Sequence, residues 1–284
     1  MMSTADVAMT YAYDEDTRSE RVADDRWKLE ITPRWSVRGY PNGGYVMAAM
    51  LRPLLAAAGK PDPLTVTAHY LRPTTPGTAE LDVDVFRRGA THVHAQASLV
   101  QGSERVRMIA AFGDLEKASG TTVSRLVPPQ LPPPEDCVGP DGFPQDMRDA
   151  SALFDRIETR VPAATSWLPG ASSTSAADSA LIGGYVSTRW MRFTDGRAVD
   201  VSSVPLFVDP FPPAVYSIGG SAWIPTVELT IHVRARPVPG WLRGRFETRV
   251  IRDGYVEEDG ELWDADDNLV AQARQLLLLL PPQT

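Results

Sequence analysis

The sequence predicts an α+β protein made of two tandem copies of one unit, a helix followed by an antiparallel sheet. Three observations carry that expectation. Between Gly39 and Phe112 a run with helical spacing is followed by four alternating runs, and four more alternating runs with turns at matching places lie between Trp223 and Leu280. His69 and His232, and likewise Gly77 and Gly240, stand 163 residues apart. The same offset sets Ala97-Ser98-Leu99 on Gly260-Glu261-Leu262 and Ala110 on Ala273. A period that long doubles a domain and does not build a solenoid.

Taken in order, residues 1 to about 25 are polar and expected to be loosely ordered at the start. Trp27, Leu29 and Ile31 alternate with Lys28 and Glu30 and predict a first strand. Asn42-Gly43-Gly44 then precedes Val46, Met47, Met50, Leu51, Leu54, Leu55 and Ala58, the spacing of one helix face. Asn42 is the natural N-cap. Pro53 predicts a kink or a short first turn, since it removes a hydrogen bond and crowds the preceding turn. Strands follow at Leu64 to Leu71, Ala79 to Arg87, Thr91 to Gln101 and Arg105 to Phe112, separated by Thr75-Pro76-Gly77, Arg88-Gly89 and Gln101-Gly102.

The stretch from about 116 to 182 changes character. Val127 to Glu135 is half proline, Ala171 to Ser179 is mostly Ser, Ala and Thr, and only Ala152 to Val161 reads as ordered. The expected organisation is a first unit over 1–115, a proline-rich linker over 116–150 and a second unit over 151–284, with a flexible segment near 162–182. Order resumes at Gly183-Gly184 with a strand over Tyr185 to Phe193, then a proline-rich apolar segment from Val204 to Tyr216. The last four strands are Trp223 to Ala235, Trp241 to Arg252, Tyr255 to Trp263 and Leu269 to Leu280.

The chain has 284 residues, 43% hydrophobic and 23% charged, which suits real cores in one large or two ordinary domains. A net charge of -8 gives no support to nucleic-acid or anionic-membrane binding. Neither a membrane-length apolar run nor a signal-peptide pattern is present, so a cytoplasmic location is expected. The single cysteine, Cys137, leaves no intrachain disulfide framework and has no histidine near it in sequence. His92 and His94 share a strand face without an evident third ligand, and no metal site is expected.

Four motifs in this order are characteristic: Pro41-Asn42-Gly43-Gly44-Tyr45, His69-Tyr70-Leu71-Arg72-Pro73, Trp223-Ile224-Pro225-Thr226, and Leu269-Val270-Ala271 leading to Arg274-Gln275. Together they resemble the double-hotdog acyl-CoA thioesterases of the thioesterase II type and their bacterial thioesterase-like relatives. The resemblance covers about Trp27 to Asp114 and Gly183 to Leu280. It implies two hotdog folds, each with a long helix wrapped by an antiparallel sheet, joined edge to edge around sites at their interface. It also implies a cofactor-free hydrolase acting on acyl-CoA in fatty-acid metabolism, in a dimer or tetramer of the chain. Its catalytic Asp, Thr and Gln, which hold and activate a water, carry over to Asp209, Thr226 and Gln275.

The residues bear on that implication independently. Asp209 is the only charged side chain between Asp200 and Glu228 and is flanked by Phe207, Val208 and Phe211, surroundings that raise an acid's pKa unless donors hold the anion. It serves equally as a turn aspartate before Pro210. Gln275 shares a small or apolar face with Ala271, Ala273, Leu277 and Leu279, and at the 163 offset its place is taken by Phe112. A buried amide needs partners, whether a water or the backbone across the sheet. Gly43 and Gly44 are candidate donors to a thioester oxygen, or else only a tight helix start. Arg72, with Arg234 or Arg236, is a candidate for the CoA phosphates. Two other readings stay open: a non-catalytic acyl or acyl-CoA binding protein, and a hydratase on the same fold.

Overall fold

The structure is a computed structural model that describes residues 10–165, 168, 185–218 and 224–279. Its strands in chain order are β1 (Ser19–Ala23), β2 (Arg26–Ile31), β3 (Ser36–Val37), β4 (Tyr40–Pro41), β5 (Asp62–Tyr70), β6 (Gly77–Arg88), β7 (Val93–Gln101) and β8 (Ser103–Gly113), then β9 (Ile157–Arg160), β10 (Tyr185–Phe193), β11 (Thr226–Val233), β12 (Leu242–Thr248), β13 (Ile251–Arg252), β14 (Tyr255–Trp263) and β15 (Leu269–Leu278). The α-helices are α1 (Ala12–Asp16), α2 (Gly43–Ala58), α3 (Gln145–Asp149) and α4 (Val204–Val208).

All strands but β3 and β4 join one antiparallel sheet, in the order β1-β2-β6-β7-β8-β5-β11-β15-β14-β12-β10-β9, with β13 beside β14. Period-two alternation decides which face is inside. On β2 the buried residues are Trp27, Leu29 and Ile31, and on β6 they include Leu81 and Val83. The inner face closes over α2, whose Val46, Met47, Met50, Leu51 and Leu54 have almost no exposure. Asn42 caps that helix by accepting from Tyr45 N–H, and Gly59 ends it at φ 67°, a conformation that suits glycine. Pro53 lies inside the helix, which continues on both sides of it.

The two halves meet at β5 and β11. Thr67 lies opposite Thr230, and their hydroxyls hydrogen-bond at 2.8 Å. These are equivalent positions of the repeat, so a local two-fold axis passes between them. The registers correct one expected equivalence. Gln275 lies opposite Leu229, and Val66, the repeat partner of Leu229, lies opposite Ala110. The counterpart of Gln275 is therefore Ala110 and not Phe112. The turn after β14 causes the shift: it is longer than the tight Gln101–Ser103 turn between β7 and β8, so β15 runs two residues later than the offset predicts.

Three further expectations change. The first 25 residues are not uniformly loose: Tyr13 on α1 is fully buried and its hydroxyl donates to Ser202 O at 2.8 Å, while β1 extends the sheet beside β2. The proline-rich stretch holds more structure than the one element expected at Ala152 to Val161, which supplies β9: Trp190 Nε1 donates to Pro132 O at 2.9 Å, and 3-10 turns at Pro134–Asp136 and Pro140–Gly142 lead into α3. Between β10 and β11 the described residues form the five-residue α4 and a 3-10 turn over Ala214–Ile218, in place of a second long helix. Pro205, Pro210, Pro212 and Pro213 lack the N–H groups that a continuous helix needs there. Ala171 to Ser179, Gly183-Gly184 and Trp223 lie outside the described residues. No helix among the described residues is long and apolar enough to cross a membrane.

Candidate functional site

A cavity of about 440 Å³ opens where the start of α2, the end of β5, the start of β11 and the segment after α4 come together. Its wall includes Asn42, Gly43, Tyr70, Arg72, Asp209 and Thr226, with Phe211, Pro213, Ile224 and Leu277 supplying apolar surface. Four of the six site residues expected from sequence, Gly43, Arg72, Asp209 and Thr226, thus line one cavity, while Gly44 is joined to it through Asp209 and Gln275 through Thr226.

Asp209 follows directly on α4, and α4 packs against α2. That contact sets its carboxylate over the N-terminus of the longer helix. Oδ2 accepts from Gly44 N–H at 2.8 Å and from Asn42 Nδ2 at 3.0 Å, and Asn42 Nδ2 also lies 3.1 Å from Asp209 O. Asn42 therefore works twice, since its Oδ1 accepts from Tyr45 N–H at 2.9 Å. Burial pushes the Asp209 carboxyl above its ordinary value, and the Gly44 amide, Asn42 and the Gln275 side chain partly oppose the rise. The bonds from Gly44 and Asn42 both fall on Oδ2.

Gly44 has a different part from the one expected. Its N–H is taken up by Asp209, so it is not a donor for a thioester oxygen here. What the glycine supplies is room: a Cβ would sit 2.3 Å from Pro205 O and 2.9 Å from Asp209 Cβ. Gly43 also stands close, since a Cβ on it would meet Asp209 Oδ2 and Tyr70 at 3.1 Å. The Gly43 N–H, at the first turn of α2, has no acceptor recorded among the described residues.

Thr226 opens β11 and Gln275 lies inward on β15, only 3% exposed. Thr226 Oγ1 donates to Gln275 Oε1 at 3.1 Å, and Gln275 Nε2 donates to Glu258 Oε1 at 2.8 Å. The amide thus has named partners on both sides. Tyr70, at the end of β5, donates its hydroxyl to Gly43 O at 2.9 Å. Burial, with Asp209 and Glu228 nearby, holds that phenol well above its usual pKa, so it stays a donor.

Arg72 lines the cavity and lies exposed, with Nη1 3.3 Å from Glu104 O. Arg236 does not reach the cavity: it forms a two-pronged pair with the buried Asp62 at 2.7 and 3.0 Å. Arg234 is engaged by Gln272 at 3.0 Å. Sequence reasoning missed Asn42 beyond its cap, Tyr70 and Glu258. For Glu258 a signal existed, because it sits on the inward side of β14 in line with Val256, Gly260 and Leu262.

Two family models match the chain, the acyl-CoA thioesterase N-terminal domain over residues 31–113 and the acyl-CoA thioesterase C-terminal domain over residues 134–279. An uncharacterised protein of Mycobacterium tuberculosis is 27% identical over 271 residues, covering 88% of this chain and 89% of its own length. Among solved structures, a Thermobifida fusca protein assigned to the thioesterase II type matches with a TM-score of 0.82 at 29% identity, over 96% of this chain and 98% of that one. A hot dog fold protein of Alicyclobacillus acidocaldarius matches at 0.80 with 22% identity, over 97% and 100%. Acyl-CoA thioesterase II TesB2 of Mycobacterium marinum matches at 0.71 with 16% identity, over 96% and 99%. The last two likenesses bear on the fold alone, and the fold is a double hotdog.

Proposed function

Since the chain belongs to the acyl-CoA thioesterase family, we propose that it hydrolyses an acyl-CoA to the free acid and CoA with a water held by Asp209, Thr226 and Gln275. One observation carries the choice of site: an acid seated on a helix N-terminus faces the same cavity as a Thr–Gln hydrogen-bonded pair. In this reading the water oxygen attacks the thioester carbonyl carbon while the Asp209 carboxylate takes its proton. The raised basicity of Asp209 suits that transfer.

The carbonyl oxygen becomes an alkoxide in the tetrahedral intermediate, and the Gly43 N–H at the start of α2 is the donor assigned to it. Collapse of the intermediate breaks the C–S bond and releases the CoA thiolate. The carboxylic acid forms with it. Arg72 at the cavity wall is assigned to the anionic part of CoA, and the apolar wall to the acyl group. The same proposal takes the substrate from fatty-acid metabolism, in the cytoplasm, and the working unit as a dimer or tetramer of the chain.

Thiol release from a panel of short, long and aromatic acyl-CoAs tests it. Wild type turns over at least one of them, and Asp209→Asn lowers kcat by about 100-fold or more while the fold is kept. Gln275→Ala falls with it. If no acyl-CoA of the panel releases thiol above background, the hydrolase reading fails and acyl-CoA binding becomes the activity to measure.

A further inference from the structure

The polar side chains of the second half extend deeper than Gln275. Glu258 on β14 is 2% exposed and Arg189 on β10 is fully buried. Glu258 Oε1 accepts from Gln275 Nε2 at 2.8 Å, and its Oε2 accepts from Ala214 N–H at 2.5 Å. Arg189 donates to Phe211 O at 3.3 Å, to Pro212 O at 2.9 Å and to Ser187 Oγ at 2.6 Å. Together the two hold the segment that leads from Asp209 along the cavity.

The repeat supplies an internal comparison. Glu258 lies opposite Gln275 as Ala95 lies opposite Ala110, and Arg189 lies opposite Gly244 as Trp27 lies opposite Leu81. Three inward positions that hold Trp27, Ala95 and Ala110 in the first half hold Arg189, Glu258 and Gln275 in the second. Burying an acid and a guanidinium where a core accepts apolar residues lowers stability. Departures of that kind concentrate where a protein does its work.

We propose that Glu258 is a positioning residue of the site, whose carboxylate fixes the Gln275 amide with its oxygen toward Thr226. The argument is one of donors and acceptors. An ionised carboxylate only accepts, so Gln275 must turn Nε2 to Glu258, which leaves its Oε1 for the Thr226 hydroxyl. Turned over, the amide would set its oxygen against Glu258 Oε1. The second N–H of Gln275 is then left for the Asp209 side of the site, where the Gln275 side chain stabilises the carboxylate. Protonation reverses this. Oε2 is held by a backbone N–H that only donates, so an added proton settles on Oε1, facing Gln275, and the neutral acid favours the flipped amide.

The groups facing Glu258 are Gln275 from β15, the Ala214 amide, Arg189 from β10 and, at longer range, Asp209. Burial raises Glu258 and Asp209 adds to the rise, the Ala214 amide, Gln275 and Arg189 oppose it, and the carboxyl is left at about 7. The orientation of Gln275 therefore follows pH in the neutral range.

The pairing is read directly by NMR and, resting there on the hydrolase reading, by kinetics. In ¹⁵N-labelled protein the Gln275 side-chain amide is identified by its loss in Gln275→Ala. Its signals shift through one titration near neutrality. In Glu258→Gln the new amide must turn its oxygen to Ala214 N–H, so it presents a donor to Gln275 and inverts it. The titration is then absent. On a substrate that wild type hydrolyses, kcat falls by up to about 100-fold with KM kept. In the Gln275→Ala background the same substitution lowers kcat no further. Wild-type Gln275 signals indifferent to pH, a titration unchanged in Glu258→Gln, or losses that multiply in the double variant would each overturn the inference. If Glu258→Gln does not fold, the wild-type titration decides. If wild type hydrolyses nothing, the hydrolase reading alone is lost and the NMR titration still decides the pairing.

Discussion

At the scale of single residues the site consists of side chains with more than one obligation. Asn42 caps α2 with its oxygen and holds Asp209 with its nitrogen, and Glu258 serves Gln275 and Ala214 with one oxygen each. A consequence for stability follows from Glu258. Its carboxyl rises from 4.5 in the unfolded chain to about 7 in the folded one, so the folded state binds the proton more tightly. Stability from this group is full below the lower value and is lost as pH rises through the upper one, by about 3 kcal/mol. Urea unfolding at a series of pH values should show that loss in wild type, and Glu258→Gln should remove it. Asp209 was legible in the sequence because it is the lone charge in a long apolar run. The second bond of Asn42 was not legible, since its partner lies 167 residues away and only tertiary contact brings the two together.

At the scale of elements, helix α2 and the short α4 form one device, in which the narrow gap between them at Gly44 matters more than either helix's propensity. Gly44 fills that gap with nothing. Gly44→Ala would press a methyl against Pro205 O and the side chain of Asp209. The expected result is a loss of about 1–3 kcal/mol in denaturant unfolding, with α4 displaced and acyl-CoA hydrolysis reduced beyond what the stability change explains. Unchanged stability would mean that the two helices part freely. The strands were read from alternation to within a few residues, because a half-buried strand writes its inner face into the sequence. Helix α1 and β1 escaped notice, as the one buried aromatic, Tyr13, sits among polar neighbours that carry no period. The second long helix was expected from the resemblance, and the prolines that forbid it were already visible.

At the scale of the whole molecule the halves are held by the β5–β11 seam and by locks at its far end from the cavity. Arg236 follows β11 and pairs with Asp62 at the start of β5, whose side chain has no exposure. Arg236→Ala would leave that carboxylate buried with only the Leu115 N–H at 2.7 Å. A loss of about 3 kcal/mol in urea unfolding is expected, with the kinetics of the remaining folded protein unchanged. A fall in affinity for CoA with stability intact would instead return Arg236 to the ligand. The repeat itself was legible from two histidines and two glycines, but the two-residue slip of β15 was not, because turn length is invisible to an offset fixed on other strands. The axis through Thr67 and Thr230 has one more meaning. Two identical subunits around such an axis would have to accept every substitution twice. In a single covalent chain each side evolves alone, so one half is free to give up part of its apolar interior for chemistry while its twin keeps an apolar one and lends the first turn of its helix.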